Sequence, residues 1–210
     1  MIRALHMLAL FCALIAAHVA QSAPQEGVEY KLINPAQPVM GRKIEVIEFF
    51  SYACPHCGEF EPALQAWLKR KPKDVDYRMV PIVFRAQWKA PAKLYYTLET
   101  MGIVDQYHQK VYDAFYKEGK ELTSDQAVKD WAKGVGIDPA KFAQNYDSFA
   151  VDTKLQRGAT IAKAYGVQFT PAIAVNGKYY TGPSMAGGHD YAKFFGVLDE
   201  LIDMERRRAR

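Results

Sequence analysis

Val46–Cys57 reads VIEFFSYACPHC, and the change of character inside it decides the fold. The run Ile44–Phe50 (IEVIEFF) is nearly continuous in apolar residues and rich in β-branched and aromatic side chains. That is the composition of a strand buried on both faces. Ser51–Pro55 breaks the run. Phe60, Leu64, Trp67 and Leu68 then recur at the spacing of one helix face, ending near Arg70. Asp74–Val83 reads as a second central strand, which completes a β-α-β unit with short connections. Its first strand-to-helix junction carries Cys54-Pro55-His56-Cys57.

A helix start presents unpaired N–H groups and the positive end of the helix dipole. Cys54 lies nearest to both. The thiolate is the reactive form of cysteine, and this setting lowers its pKa. His56 adds a second donor and, when protonated, a positive charge. Pro55 fixes its own φ and gives up an N–H that a first helical turn does not use. Each pKa unit of thiolate stabilisation is worth about 1.4 kcal/mol, and it favours only the reduced form. For a two-electron couple that makes the disulfide about 30 mV more oxidising. A purely structural bridge is a weak reading, because closing so small a loop gains only about 2 kcal/mol against nearly 5 for a hundred-residue loop. Zinc would need two more ligands, and neither His108 nor His189 has ligand spacing to a second histidine. A c-type haem site needs histidine directly after the second cysteine, where Gly58 stands. No metal and no cofactor is expected.

The remaining chain sets this junction in context. Arg3 is followed by the uncharged stretch MLALFCALIAA (Met7–Ala17) and the small residues of AQSAPQ, the pattern of a secretory signal peptide over residues 1–23. The apolar stretch is shorter than the roughly 20 residues of a membrane span. Cys12 leaves with the signal, so Cys54 and Cys57 are the only cysteines expected in a mature protein working where disulfides persist. The 210 residues suit one domain with a large insertion. Half are hydrophobic and 24% charged, which excludes a disordered or fibrous chain. A formal net charge of +4, evenly spread, argues against a nucleic-acid binder.

Val28–Ile33 reads as a short first strand. Helical stripes follow through the middle: Leu94, Tyr95, Leu98 and Met101; Val104, His108, Val111 and Phe115; Ala127, Val128 and Trp131 behind a capping box of Thr123 with Gln126; Phe142 and Tyr146 behind Asp138-Pro139. Tyr95, Tyr96, Trp131 and Phe149 are expected in the core. A long helix over Ala150–Tyr165 leads back to strands at Ala172–Val175 and Lys178–Thr181, flanking the hairpin pair Asn176-Gly177. A last helix covers Tyr191–Arg207. The fold class is α/β: a mixed sheet made by residues 24–85 and 151–210, with a helical insertion over 86–150. The basic run Arg206–Arg208 reads as a solvated helix end complementing the dipole.

The stretches VIEFFSYACPHC (Val46–Cys57) and GVQFTPAIAVNGKY (Gly166–Tyr179), with the helical insertion between them, identify the chain as similar to the DsbA-type thiol:disulfide oxidoreductases of the thioredoxin superfamily. The resemblance implies a thioredoxin-like fold and covers essentially the whole chain after the signal. It implies that Pro171 is cis and lies against Cys54 and Cys57, whereas residues alone give trans as the default. It also implies that the backbone of Thr170 pairs with the client peptide. Glu48 shares a strand face with Val46 and Phe50, and a buried carboxylate there must be paired, protonated or hydrated. By resemblance it assists proton movement at Cys57. Arg78 is the nearest candidate for a basic partner.

These residues point to a monomeric periplasmic dithiol oxidase that donates the Cys54–Cys57 disulfide to newly exported polypeptides with free cysteines. By resemblance, a DsbB-type quinone-linked membrane oxidase resets it. The alternatives are a reductase or isomerase of the same fold and a non-catalytic chaperone-like binder.

Overall fold

A computed structural model describes residues 23–208. The expected signal peptide lies outside the described residues except for Ala23, and Cys12 lies outside them too. Five strands form one sheet: β1 (Lys31–Leu32), β2 (Ile44–Phe50), β3 (Val75–Pro81), β4 (Ala172–Val175) and β5 (Tyr179–Thr181), in the order β1-β5-β4-β2-β3. β2 runs parallel to β3 and antiparallel to β4, and the other pairings are antiparallel. Seven α-helices accompany it among the described residues: α1 (Pro55–Arg70), α2 (Lys89–Thr100), α3 (Val104–Tyr116), α4 (Asp125–Gly134), α5 (Pro139–Tyr146), α6 (Phe149–Ala164) and α7 (Tyr191–Arg208). The first strand is shorter than its apolar pattern predicts, and only two of its residues pair with β5.

The apolar continuity of β2 has its cause in packing on both sheet faces. Val46 joins Phe60, Leu64 and Trp67 of α1 and Phe194, Leu198 and Leu201 of α7. Ile47 and Phe49 turn to the other face, with Val80, Ile82 and Tyr165. Phe60 and Trp67 stack on Phe195 with ring centroids 5.5 and 5.8 Å apart. β3 is not the central strand its sequence suggests. It forms the sheet edge, where exposed Asp76 costs nothing, and α6 packs along it.

Between β3 and β4 the chain is helical apart from short turns, and its core gathers Leu94, Leu98, Val128, Trp131, Phe142 and Tyr146. Asp138 caps α5 as expected, accepting from the Lys141 N–H at 2.7 Å. The cap of α4 is Ser124 rather than Thr123, accepting from Ala127 N–H at 3.2 Å. Gln126 instead donates to Asp130 one turn on. Phe149, expected in the core, is 86% exposed. It follows the Ser148 cap as the first residue of α6, and Val151 and Leu155 provide the inner face.

The β4–β5 hairpin turns at Asn176 and Gly177, with φ of 50° and 66°, and the Lys178 N–H closes it on Val175 O at 3.0 Å. A Cβ on Gly177 would lie 2.1 Å from the Gln37 carbonyl oxygen. Gly177→Ala therefore meets both an unfavourable φ and a backbone clash. It should lower the unfolding free energy by about 2–3 kcal/mol in urea; an unchanged midpoint would contradict this turn.

Candidate active site

β2 delivers the chain to the site and Ser51 turns it. The Ser51 carbonyl accepts from Cys54 N–H at 3.0 Å, and Cys57 N–H then bonds Cys54 O at 3.0 Å as the first helical turn. Cys54 is the N-cap of α1, with extended backbone (φ −99°, ψ 113°), and Pro55 opens the helix. No side chain caps this end and its first turn holds no acid. The free N–H groups are thus left to the sulfur.

The two sulfurs differ sharply. The Cys54 thiol is lowered to about 6. The largest cause is the hydrogen bond donated by the Cys57 S–H; the Thr170 side chain and the backbone N–H groups of Cys57 and His56 add to it, while burial opposes it. Burial pushes the Cys57 thiol well up, and the bond to Cys54, the Cys54 charge and Glu48 push the same way. Cys54 is 5% exposed and Cys57 1%, so an incoming thiol meets Cys54 first.

The Thr170–Pro171 peptide is cis, and the Thr170 carbonyl oxygen stands 3.5 Å from the Cys54 sulfur. A carbonyl only accepts, so this contact favours the thiol, against the effect of the Thr170 side chain. The His56 ring is not the second donor its position suggests. It stands in solvent with Nδ1 3.1 Å from Glu59 Oε2, which raises its pKa. His56 gives Cys54 its backbone N–H, and the Cys54 charge in turn helps to raise the His56 ring.

Glu48 is buried and accepts a hydrogen bond from the Tyr77 hydroxyl. Burial, with the nearby Glu61, pushes its carboxyl up to about 8, and the Tyr77 bond only partly offsets this. Arg78 is not its partner. In the β2–β3 register Tyr77 lies opposite Val46, on the Glu48 face, whereas Arg78 lies opposite Ile47. It therefore pairs with Glu45, at 2.8 Å.

Sequence reasoning missed Glu61, and it placed His108 only as a stripe residue. Both are buried, and His108 Nε2 lies 3.2 Å from Glu61 Oε1. The available signal was spacing: Glu61 sits four residues after Cys57 on the apolar face of α1, where a carboxylate has no solvent role.

A cleft of about 310 Å³ is lined by His56, Phe169, Thr170, Pro171, His189 and Tyr191 among others, so it borders the residues that flank Cys54 in the chain and across the Thr170 contact. Two larger clefts, of about 650 and 570 Å³, run along α6 and share none of these lining residues.

The family model described as a DSBA-like thioredoxin domain matches residues 45–195. The thiol:disulfide interchange protein DsbA of Bordetella parapertussis is 44% identical over 184 residues, 87% of each chain. That of Pseudomonas syringae is 39% identical over 210 residues, 97% of each. The chain belongs to the DsbA-like thioredoxin family. It is a thiol:disulfide oxidoreductase. Its fold matches the crystal structure of Pseudomonas aeruginosa DsbA with a TM-score of 0.83 at 36% identity, over 89% of this chain and 96% of that one. DsbA of Xylella fastidiosa gives 0.79 at 30% identity, over 88% and 98%. In this DsbA-like chain no described helix is long and apolar enough to cross a membrane.

Proposed function

We propose that the chain is a periplasmic dithiol oxidase for exported proteins, with Cys54 as the sulfur that clients attack. A client thiolate attacks Cys54 Sγ of the oxidised protein. The Cys54–Cys57 bond breaks, a client–Cys54 mixed disulfide forms, and Cys57 leaves and takes up a proton. A second client thiolate attacks the client sulfur of the mixed disulfide, and Cys54 leaves as a thiolate. Two electrons pass from client to enzyme, and each client cysteine has lost one proton. A quinone-linked membrane oxidase of DsbB type would remove the electrons.

The observation that carries this reading is the asymmetry of the sulfurs: a thiol near 6 at Cys54 beside one held well up at Cys57. Such a pair expels Cys54 easily in the last step and keeps Cys57 protonated. At pH 7 only the part of the Cys54 shift below 7 counts. It favours the reduced form by about 1.4 kcal/mol, or about 30 mV, before solvent screening trims it. Thr170 would pair with the client backbone beside Pro171, in the cleft next to Cys54. Glu48, protonated at neutral pH, would supply the proton that Cys57 takes up. His56 would act through its N–H, and Pro55 by opening the helix without an N–H of its own.

Equilibration in glutathione buffers tests this. The disulfide should be reduced by a modest share of reduced glutathione. The thiolate absorbance of the reduced protein should titrate with a midpoint near 6. A disulfide that persists in a large excess of reduced glutathione would overturn the oxidase reading.

A further inference from the structure

We propose that His108 is a positioning residue for this chemistry: clamped between Tyr52 and Glu61, it holds the buried negative charge on Glu61 and so leaves the proton on Glu48. The inference rests on the oxidase reading and on the role of Glu48 in it.

The geometry spans three elements. His108 Nδ1 on α3 is 2.7 Å from the Tyr52 hydroxyl, on the loop two residues before Cys54. Nε2 is 3.2 Å from Glu61 Oε1 on α1, close enough to pair though off the line of a hydrogen bond. Gln65 donates to the same Glu61 oxygen at 2.7 Å. The imidazole therefore ties the loop that carries Cys54 to the helix that carries Cys57. All of Tyr52, Glu61 and His108 are buried.

Two carboxyl groups share this patch, and among the described residues neither has a lysine or arginine within pairing distance. Two like charges in a buried site cannot both form cheaply. Donors decide which one forms. Glu61 has the imidazole and the Gln65 amide facing Oε1, while its Oε2 is buried without a partner, as is the Tyr112 hydroxyl. Among the described residues Glu48 has only the Tyr77 hydroxyl, which serves a carboxyl in either state. The titratable groups facing the pair are Tyr52 from the loop, Tyr77 from β3, Tyr95 from α2, Tyr112 from α3 and Cys57 from α1. Burial holds the four tyrosines as neutral hydroxyls. None of these groups places a ring nitrogen beside Glu61 Oε1 as His108 does.

The test reads Glu48 directly. In reduced protein carrying ¹³C-labelled glutamate, the Glu48 carboxyl signal should titrate near pH 8 in the wild type. In His108→Leu the charge leaves Glu61, and the Glu48 midpoint should fall by about one pH unit or more. Glu61→Gln, which keeps the packing and the Gln65 contact, should shift it in the same direction. His108→Leu added to Glu61→Gln should then shift it no further. The pH profile of dithiol oxidation should follow the Glu48 midpoint in each variant. A purely structural histidine would lower stability and leave that midpoint in place, and this result would overturn the proposal. If His108→Leu does not fold, an unmoved midpoint in Glu61→Gln overturns it equally. Failure of the oxidase reading itself would show separately, in the glutathione equilibrium of the wild type.

Discussion

Cys54→Ser should reduce dithiol oxidation to the rate of the buffer alone, a loss of at least about 10³-fold. Serine oxygen forms no disulfide with Cys57, so the variant holds no oxidising equivalents at all. Cys57→Ala should behave differently. It also lacks the internal disulfide, but its Cys54 thiolate can attack oxidised glutathione added to the buffer, releasing one glutathione thiolate, and the resulting Cys54–glutathione mixed disulfide should accumulate because no Cys57 sulfur is there to displace it. The same variant checks the origin of the acidic sulfur. The Cys57 S–H is the largest cause of the lowered Cys54 pKa, so its loss should move the thiolate midpoint upward from about 6. Substantial dithiol oxidation by Cys54→Ser would remove the site from Cys54. A midpoint unchanged in Cys57→Ala would assign the acidity to the helix N-terminus and Thr170 instead.

The parts of this site that are local in sequence could be read from sequence, because their causes are local. The break after Phe50, the proline at the first helical position and the cysteine just before it define a helix start without any tertiary information. Asn176-Gly177 and Asp138-Pro139 work the same way, through φ and a capping oxygen. Errors arose where distant packing decides. β3 has the composition of an inner strand, but among the described residues no further strand covers its outer side, so it forms the edge. Phe149 fits an apolar stripe, yet it lies on the first turn of α6, beyond the reach of the core. The choice between Tyr77 and Arg78 beside Glu48 depends on the β2–β3 register, and a shift of one residue reverses it. The Glu61–His108 contact joins α1 to α3 across 47 residues of chain (108 − 61), and no spacing rule connects them.

Glu48→Gln should stabilise the reduced protein, and by an amount that depends on pH. The folded-state carboxyl is raised to about 8 from an ordinary 4.5. Between those values the folded chain binds a proton that the unfolded chain has released, so wild-type stability falls as pH rises through this window. Below about 4.5 both states are protonated and Glu48 costs nothing as a charge. At pH 7 the proton must be held against its release in the unfolded chain, across about 2.5 pH units, which costs about 3 kcal/mol. Glutamine keeps the shape and an oxygen for the Tyr77 hydroxyl, and it has no proton to lose. Urea unfolding of reduced wild type and variant should therefore agree at pH 4 and separate by that amount at pH 7. Comparing the two within one redox state cancels the titration of Cys54, which runs the opposite way: a lowered pKa adds stability at high pH that is lost as pH falls through about 6. The gain should come with slower client oxidation, because the variant has no carboxyl proton to give Cys57. An equal gain at pH 4 and pH 7 would mean that better packing, and not the removal of a buried acid, stabilises the variant. Glu48 would then have no claim to a proton at the pH where the enzyme works.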